Sequence, residues 1–277
     1  MNANEYTNKI LNQYQLNALK TYGQNFLISD KALSAIKASI EPYAPASFLE
    51  IGPGIGILTH LLSEMGDVTC YEIDTRLEDC LNNEFKDKDV TIIFKDAMAI
   101  HLGEALKNLK TENPIVVSNL PYYITTPLIQ KYCEEALSAK HGFFMVQKEV
   151  GERIMAHPHT RDYGAFSVRC QAYCEINKVC DCLKGAFNPQ PEVDSMFIHF
   201  KRRSDVYKEI TPLLEMTDIC FHLKRKTLVN NLAGYKNLNK EHIISILKAI
   251  NLKETARAEE LNLNEFIRLY EAIQNGL

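Results

Sequence analysis

Short apolar runs and amphipathic segments alternate along the chain between residues 47 and 146. Each apolar run is a few residues long, which is typical of buried parallel strands. The segments between the runs repeat their apolar positions every three or four residues, which predicts helices. The predicted strands are 47–51, 68–73, 90–94, 115–117 and 142–146, and the predicted helices are 57–65, 75–85, 103–109 and 127–137. This alternation predicts an α/β fold with a mostly parallel, doubly wound sheet.

The pattern changes on both sides of this region. Residues 1–24 are mostly polar, with a helical tendency near 10–19, and Ser29 is placed to cap a helix over 31–40. After Glu149 the alternation stops. The patterns there predict helices at 149–156 and 164–173, strands at 175–179 and 196–200, and helices only from residue 204. We therefore predict an N-terminal tail (1–24), an α/β domain (25–203) and a small all-helical domain (204–277).

The composition, 46% hydrophobic and 24% charged, is that of an ordinary soluble globular protein. The apolar runs are too short for a membrane span, and the first thirty residues lack the apolar core of a secretion signal. We therefore expect a cytoplasmic protein. Eight cysteines without such a signal suggest free thiols. Four of them lie between residues 170 and 182 without the paired C-x-x-C spacing of zinc sites, so we expect no metal.

The net charge of −4 is unusual for a nucleic-acid-binding protein, but it is unevenly distributed. Residues 201–240 contain nine basic and four acidic side chains. A local basic face attracts a phosphate backbone whatever the total charge, although a solvated helical surface would have the same composition. The candidate nucleic-acid contacts are Lys201, Arg202, Arg203, Lys224, Arg225 and Lys226.

A glycine-rich loop follows the first strand of the alternating region. Its sequence, Glu-Ile-Gly-Pro-Gly-Ile-Gly from Glu50, suits close approach of a ligand to the backbone. Dinucleotide enzymes use a similar loop, but their spacing is G-x-G-x-x-G and an acidic first residue would repel a pyrophosphate. Glu72 and Asp96 end the next two predicted strands. An acidic residue at three successive strand ends favours a cationic ligand with ribose hydroxyls, although each could also cap a helix.

Residues 118–123, Ser-Asn-Leu-Pro-Tyr-Tyr, follow a further apolar strand. Ligands of open α/β sheets bind outside the carboxyl ends of the strands. The side-chain carbonyl of Asn119 is able to accept a hydrogen bond from an amine, Pro121 stiffens the turn, and the ring of Tyr122 suits stacking on a base. The segment therefore suggests a site for a planar ring with an exocyclic amine, although a strand-end turn with a core tyrosine is an equal alternative.

Together these motifs resemble the rRNA adenine dimethyltransferase family, whose members are class I methyltransferases with a Rossmann-like fold. The matching motifs run in the family's order from residue 24 to near the C-terminus. They are Gln24-Asn-Phe-Leu27, Glu50-Ile-Gly-Pro-Gly54, Glu72-Ile-Asp74, Asp96-Ala-Met98, Asn119-Leu-Pro-Tyr122, Gln147-Lys-Glu149, Phe187 to Ser195, Arg225-Lys-Thr227 and Arg257-Ala-Glu259.

The resemblance implies roles for individual residues. The S-adenosylmethionine site would be lined by Asn25, Leu27, Gly52, Glu72, Asp96 and Asn119. Asn119 and the carbonyl of Leu120 would receive the target amine, and Tyr122 and Phe187 would stack on the two faces of a flipped adenine. The helical domain would carry basic residues that contact RNA.

The same resemblance implies dimethylation of two adjacent adenosines near the 3′ end of 16S rRNA, within a pre-30S particle, by a monomeric enzyme that does not bind membranes. Three alternatives remain open. They are a macrolide-resistance type methyltransferase of large-subunit rRNA, a nicotinamide-dependent dehydrogenase, and a non-catalytic ribosome-assembly or transcription factor with the same fold.

Overall fold

The structure, a computed structural model, describes residues 1–276 and divides the chain into two compact units. The sheet unit comprises Met1–Gly151 and Glu175–Arg202, and the helical unit comprises Glu152–Cys174 and Arg203–Leu277. This division differs from the domains expected from the sequence. Residues 152–174 group with the C-terminal helices, and residues 1–24 belong to the sheet unit instead of forming a separate tail.

A seven-stranded sheet forms the centre of the sheet unit, in the order β4-β3-β2-β5-β6-β9-β7. Its strands are β2 (Ser47–Ile51), β3 (Val68–Glu72), β4 (Val90–Phe94), β5 (Pro114–Asn119), β6 (His141–Gln147), β7 (Cys174–Cys182) and β9 (Ser195–Arg202). β4, β3, β2, β5 and β6 are parallel, and β9 is antiparallel to β6. The expected α/β, Rossmann-like fold with a mostly parallel sheet is confirmed. The carboxyl ends of the five parallel strands therefore share one edge of the sheet.

Burial on both faces explains why the central strands β2, β5 and β6 are mostly apolar runs. Every residue of β2 is buried, and the buried core on one face includes Phe48, Val117 and Phe143 from three neighbouring strands. Burying such side chains contributes about 1.5–3 kcal/mol each relative to leaving them exposed. The core therefore fixes the strands' positions, and with them the chain segments that leave the carboxyl edge.

Helices flank the sheet. They are α1 (Ala3–Gln13), α2 (Asp30–Ile40), α3 (Ile57–Leu62), α4 (Glu78–Phe85), α5 (Leu102–Lys107) and α6 (Thr125–Glu135). A further helix, α7 (Lys148–Met155), begins in the sheet unit and continues into the helical unit. The first helix lies seven residues earlier than the sequence pattern suggested. Asn2 and Glu5 form a reciprocal capping box that starts it, and Gln15 has a positive φ of 52° just beyond its end.

A separate two-stranded sheet joins two distant motifs of the sheet unit. β1 (Phe26–Leu27) pairs antiparallel with β8 (Phe187–Asn188), so that Leu27 lies opposite Phe187. The amide of Ile28 extends the pairing by donating to the carbonyl of Ala186 at 2.7 Å. This contact links the segment 25–27 to the loop that carries Phe187.

The helical unit contains α8 (Ala165–Tyr173), α9 (Ile210–Cys220), α10 (Leu228–Asn231), α11 (Lys240–Ala249) and α12 (Leu263–Gln274). Hydrogen bonds attach residues 152–174 to the C-terminal part of the helical unit. Tyr163 Oη donates to the carbonyl of Leu261 at 2.8 Å, and the amide of His159 donates to the carbonyl of Glu259 at 2.8 Å. Among residues 1–276, no helix is both long and apolar enough to span a bilayer.

Candidate active site

A cleft with an empty volume of about 970 Å³ opens at the carboxyl edge of the parallel strands. All nine residues that the sequence suggested for cofactor and base binding line it, although they come from six separate motifs. They are Asn25, Leu27, Gly52, Glu72, Asp96, Asn119, Leu120, Tyr122 and Phe187. The structure therefore brings these residues together within the sheet unit, as the strand order requires.

The glycine loop forms one wall of the cleft. Gly52 and Gly54 both have left-handed backbone conformations, with φ of 68° and 56°, which residues with a Cβ rarely adopt. A Cβ added at Gly54 would lie 3.1 Å from the ring of Phe26, whereas one at Gly52 would meet nothing within 4 Å. The loop thus packs closely at Gly54 and leaves open space for a ligand at Gly52.

Glu72, the last residue of β3, is buried and holds this loop. Its Oε2 accepts the amide of Gly54 at 3.1 Å, and its Oε1 accepts the amide of Asp74 at 2.8 Å. Burial raises the pKa of Glu72, and the two amide hydrogen bonds oppose that shift. Each carboxylate oxygen keeps a second lone pair, which suits acceptance of ribose hydroxyls.

Asp96 follows β4 and is exposed at the cleft. Its Oδ1 accepts the amide of Met98 at 2.8 Å and so caps the short 3₁₀ turn that follows. Asp96 therefore caps a helical turn, which was one of the two roles considered from the sequence, and it also lines the cleft.

Glu50 lies beneath the glycine loop and is 1% exposed. Its Oε2 accepts hydrogen bonds from the hydroxyl of Thr59 at 2.7 Å and from the thiol of Cys70 at 3.6 Å. Burial raises the pKa of Glu50 to about 7, against the effect of these two donors. Glu50 is therefore a partly protonated acid near neutral pH in the absence of a ligand.

Asn119 is the last residue of β5 and has a fixed amide orientation. Its Nδ2 donates to the backbone carbonyl of Asn25 at 3.0 Å. Because a carbonyl can only accept, the side-chain atom that faces it is the nitrogen, and Oδ1 remains available as an acceptor. The following turn is also fixed, because the carbonyl of Pro121 accepts from Ile124 N and Thr125 Oγ1 at 3.1 and 3.2 Å.

Tyr122 and Phe187 reach the same cleft from loops 65 residues apart. Phe187 is held by the pairing of β8 with β1, and Tyr122 by its hydroxyl, which lies 2.9 Å from Oγ of Ser195. Ser195 is fully buried at the start of β9. Burial raises the pKa of Tyr122, so this phenol stays protonated at neutral pH.

The N-terminal helix supports the site, which no pattern in the sequence indicated. Tyr6 is buried, and its hydroxyl donates to the carbonyl of Ile55 in the glycine loop at 3.0 Å. The side chain of Gln24 donates to Asp74 at 2.9 Å and accepts the amide of Leu19 at 2.9 Å. These contacts attach residues 1–24 to the two loops that form the cleft.

Two aromatic residues of the cleft were also missed. Tyr22 and Tyr123 line its mouth, and the side chain of Tyr123 is 55% exposed. Their positions in the sequence could have identified them, because both lie beside recognised motifs. Tyr22 lies just before Gly23-Gln24, and Tyr123 directly follows Tyr122.

The basic candidates have different environments. Arg202 donates to the carbonyls of Tyr132, Cys133 and Ala136, and its guanidinium lies 4.9 Å from the ring centre of Tyr132. These contacts cap the end of α6, so Arg202 has a structural role in place of the expected RNA contact.

Lys201 lies opposite His141, the first residue of β6, and therefore at the edge of the sheet remote from the cleft. Arg203 pairs with Asp205 through two nitrogens at 3.0 and 3.1 Å. The remaining three candidates, Lys224, Arg225 and Lys226, are exposed between α9 and α10 of the helical unit.

Two comparisons with known proteins show the family. Residues 15–275 match the family model described as ribosomal RNA adenine dimethylase. Proteins named ribosomal RNA small subunit methyltransferase A are 36% identical in Clostridioides difficile (96% of this chain, 94% of the relative) and 38% identical in Listeria innocua (95% and 93%).

Two solved structures share the fold at 23% sequence identity. A dimethyladenosine transferase from Plasmodium falciparum has a TM-score of 0.77, with 90% of this chain and 98% of that chain covered. The 23S rRNA methyltransferase ErmE has a TM-score of 0.69, with 90% and 100% covered. The chain belongs to the ribosomal RNA adenine dimethylase family.

Proposed function

We propose that this protein transfers two methyl groups to the exocyclic amine at position 6 of each of two adjacent adenosines in a hairpin loop near the 3′ end of 16S rRNA. Family membership and the small-subunit relatives support the reaction and the substrate. The observation that carries the assignment is the oriented amide of Asn119, which lies in one cleft with the glycine loop, Tyr122 and Phe187.

The residues of the cleft fit S-adenosylmethionine better than a dinucleotide. When bound, this cofactor supplies an electrophilic methyl group on a sulfonium. The carboxylates of Glu50, Glu72 and Asp96 favour a cation and would disfavour a pyrophosphate. Glu72 and Asp96 would hold the ribose hydroxyls and the adenine amine, and the open space at Gly52 would admit the ligand beside the backbone. The segment 25–27 would close the other side.

Asn119 prepares the target amine. The lone pair of an adenine amine is delocalised into the ring, which makes the nitrogen a weak nucleophile. Hydrogen bonds from the amine to Oδ1 of Asn119 and to the carbonyl of Leu120 would favour a pyramidal nitrogen with a localised lone pair. Because Nδ2 of Asn119 is already bound to Asn25, its acceptor is fixed before substrate arrives. As the new N–C bond forms, the bond between the methyl carbon and the sulfonium sulfur would break and leave the neutral thioether S-adenosylhomocysteine. The methylated amine would then release its proton to solvent.

Tyr122 and Phe187 would stack on the two faces of the flipped adenine and exclude water from the reacting amine. Both rings are anchored, Tyr122 through Ser195 and Phe187 through the pairing of β8 with β1. Catalysis in this scheme consists of positioning and desolvation, and it needs no general base.

Lys224, Arg225 and Lys226 would contribute to RNA binding from the helical unit, since they are exposed and clustered. We infer that the substrate is 16S rRNA within a pre-30S particle, that the enzyme acts as a monomer and that it works in the cytoplasm.

Transfer of radiolabelled methyl to small-subunit particles from an unmodified strain, followed by nucleoside analysis, tests the proposal. We expect N6,N6-dimethyladenosine at two adjacent positions. Asn119→Ala should lose at least about 100-fold in kcat, because it removes a preorganised acceptor, while particle binding changes little. In a parallel reaction with large-subunit rRNA, incorporation of label there would support the macrolide-resistance type, and binding to small-subunit particles without transfer would support an assembly factor. Tight binding of a nicotinamide dinucleotide in place of S-adenosylmethionine would refute the cofactor assignment.

A further inference from the structure

The space between Tyr122 and Phe187, which we call the adenine slot, is the proposed position of the flipped base. Asp194 connects several segments beside this slot. Its backbone carbonyl accepts the amide of Lys148 at 2.9 Å, and its Oδ1 accepts the amide of Lys184 at 2.8 Å. The next residue, Ser195, holds the hydroxyl of Tyr122 at 2.9 Å. Asp194 thus fixes the start of α7 and the start of the 3₁₀ turn Lys184–Ala186, next to the residue that anchors Tyr122.

These segments expose an unusual set of side chains. Leu183 is 67% exposed and Val193 is 45% exposed, although both are large aliphatic residues. The side chains of Lys148 and Lys184 are also exposed. We call these four residues the slot rim. Leu183 is attached to the slot itself, because its carbonyl accepts the amide of Ala186, which precedes Phe187.

We propose that the slot rim binds the nucleotides that flank the target adenosine in the RNA chain. This inference rests on the proposed function, since it assumes that the slot receives a flipped base. Flipping a base removes stacking from its neighbours, whose faces then need another apolar surface. Leu183 and Val193 present such a surface, and Lys148 and Lys184 place positive charge beside it for the adjoining phosphates.

The position of the slot rim within the sheet unit favours RNA as the occupant. The rim adjoins the slot through Asp194 and Ser195, so it lies within reach of the nucleotides next to a base in the slot. Its two lysines match a phosphate backbone, whereas a purely apolar partner would leave their charges without compensation. The rim is therefore a sequence-tolerant surface for single-stranded nucleotides, separate from the basic cluster 224–226.

The test compares two pairs of neutralised lysines in the full-length protein. Lys148→Gln with Lys184→Gln removes the charges of the rim. Lys107→Gln with Lys140→Gln removes two exposed charges from the opposite edge of the sheet, where Lys140 precedes β6. Because β6 has seven residues, Lys140 and Lys148 are separated by roughly 23 Å. Binding to unmodified small-subunit particles and to protein-free 16S rRNA is measured from low to high salt.

The measured quantity is the slope of the logarithm of the binding constant against the logarithm of the salt concentration. For the rim pair, we expect the magnitude of this slope to decrease by about 1.4 on both substrates, since each single-stranded phosphate contact contributes roughly 0.7. The control pair should keep the wild-type slope. Leu183→Ser with Val193→Ser should raise KM for particles roughly tenfold through lost apolar contact, with kcat and S-adenosylmethionine binding unchanged.

Equal slopes for the rim pair and the control pair would overturn the inference. So would weaker binding of the rim pair to particles with unchanged binding to protein-free rRNA, because the rim would then contact a ribosomal protein. In both cases the wild-type enzyme still methylates the particles. If the wild-type enzyme transfers no methyl group, the proposed function itself fails, and the two failures are thereby distinguished.

Discussion

The buried carboxyl of Glu50 makes stability depend on pH in a way that one isosteric substitution should remove. Its pKa is about 7 in the folded protein, compared with the ordinary glutamate value of 4.5, mainly because burial disfavours the charged form. Because the carboxyl ionises more readily in the unfolded chain, the protein keeps its full stability below about pH 4.5. The free energy of unfolding then decreases as pH rises, and the decrease is complete at about pH 7. At about 1.4 kcal/mol per pKa unit, the difference amounts to about 3 kcal/mol.

Glu50→Gln should therefore become more stable relative to the wild type as pH rises. The neutral amide keeps an acceptor for Thr59, and its unmatched NH₂ group adds a cost of about 1–3 kcal/mol that does not vary with pH. We expect the difference in unfolding free energy, variant minus wild type, to increase by about 3 kcal/mol between pH 4.5 and 8. Urea unfolding followed by far-UV circular dichroism measures this difference, since the chain contains no tryptophan.

Glu64→Gln is the matched control on the neighbouring chain segment. Glu64 is exposed and paired with Lys37 at 2.6 Å, which lowers its pKa. Its contribution is complete above its unfolded pKa and is lost only as pH falls through the folded one, so its difference curve should be flat from pH 5 to 8. A flat curve for Glu50→Gln as well would show that the carboxyl is not held protonated by burial.

Two further predictions concern the adenine slot and the packing of the sheet unit. Tyr122→Phe and Ser195→Ala should each lower kcat/KM about fivefold, because each removes a hydrogen bond worth about 1 kcal/mol net. The double variant should lose no more activity than either single variant. If the two losses multiply in the double variant, the hydrogen bond is not what connects the two residues. Gly66→Ala should lower the free energy of unfolding, measured in urea, by about 3 kcal/mol or more, because the added Cβ would lie 1.8 Å from the carbonyl oxygen of Ala46. Gly185→Ala is the control: its added Cβ meets nothing within 4 Å, so its free energy of unfolding should differ from wild type by no more than about 0.5 kcal/mol.

The fold could be predicted from local pattern wherever burial is continuous. The bounds of β2 are those that the sequence indicated, because an apolar run buried in a parallel sheet has a clear beginning and end. The end of β5 lies two residues later than expected, so that Asn119 belongs to the strand itself. Its geometry is therefore more rigid than that of a loop residue.

What the sequence could not show depends on contacts between distant segments. The grouping of residues 152–174 with the C-terminal helices rests on bonds such as Tyr163 to Leu261, 98 residues apart, which leave no periodic signal. The structural role of Arg202 was hidden for the same reason. An arginine that caps carbonyls and one that binds phosphate have the same appearance in a run of basic residues.

The attachment of Asn119 to Asn25 suggests why the two halves of the reaction site are interdependent. The same short segment supplies the carbonyl that orients the acceptor amide and, one residue later, the strand that pairs with β8 and holds Phe187. A displacement of residues 25–27 would therefore disturb the acceptor for the target amine and one stacking face together. Since this segment also lines the proposed cofactor site, occupancy of that site and readiness of the adenine slot should be coupled through it.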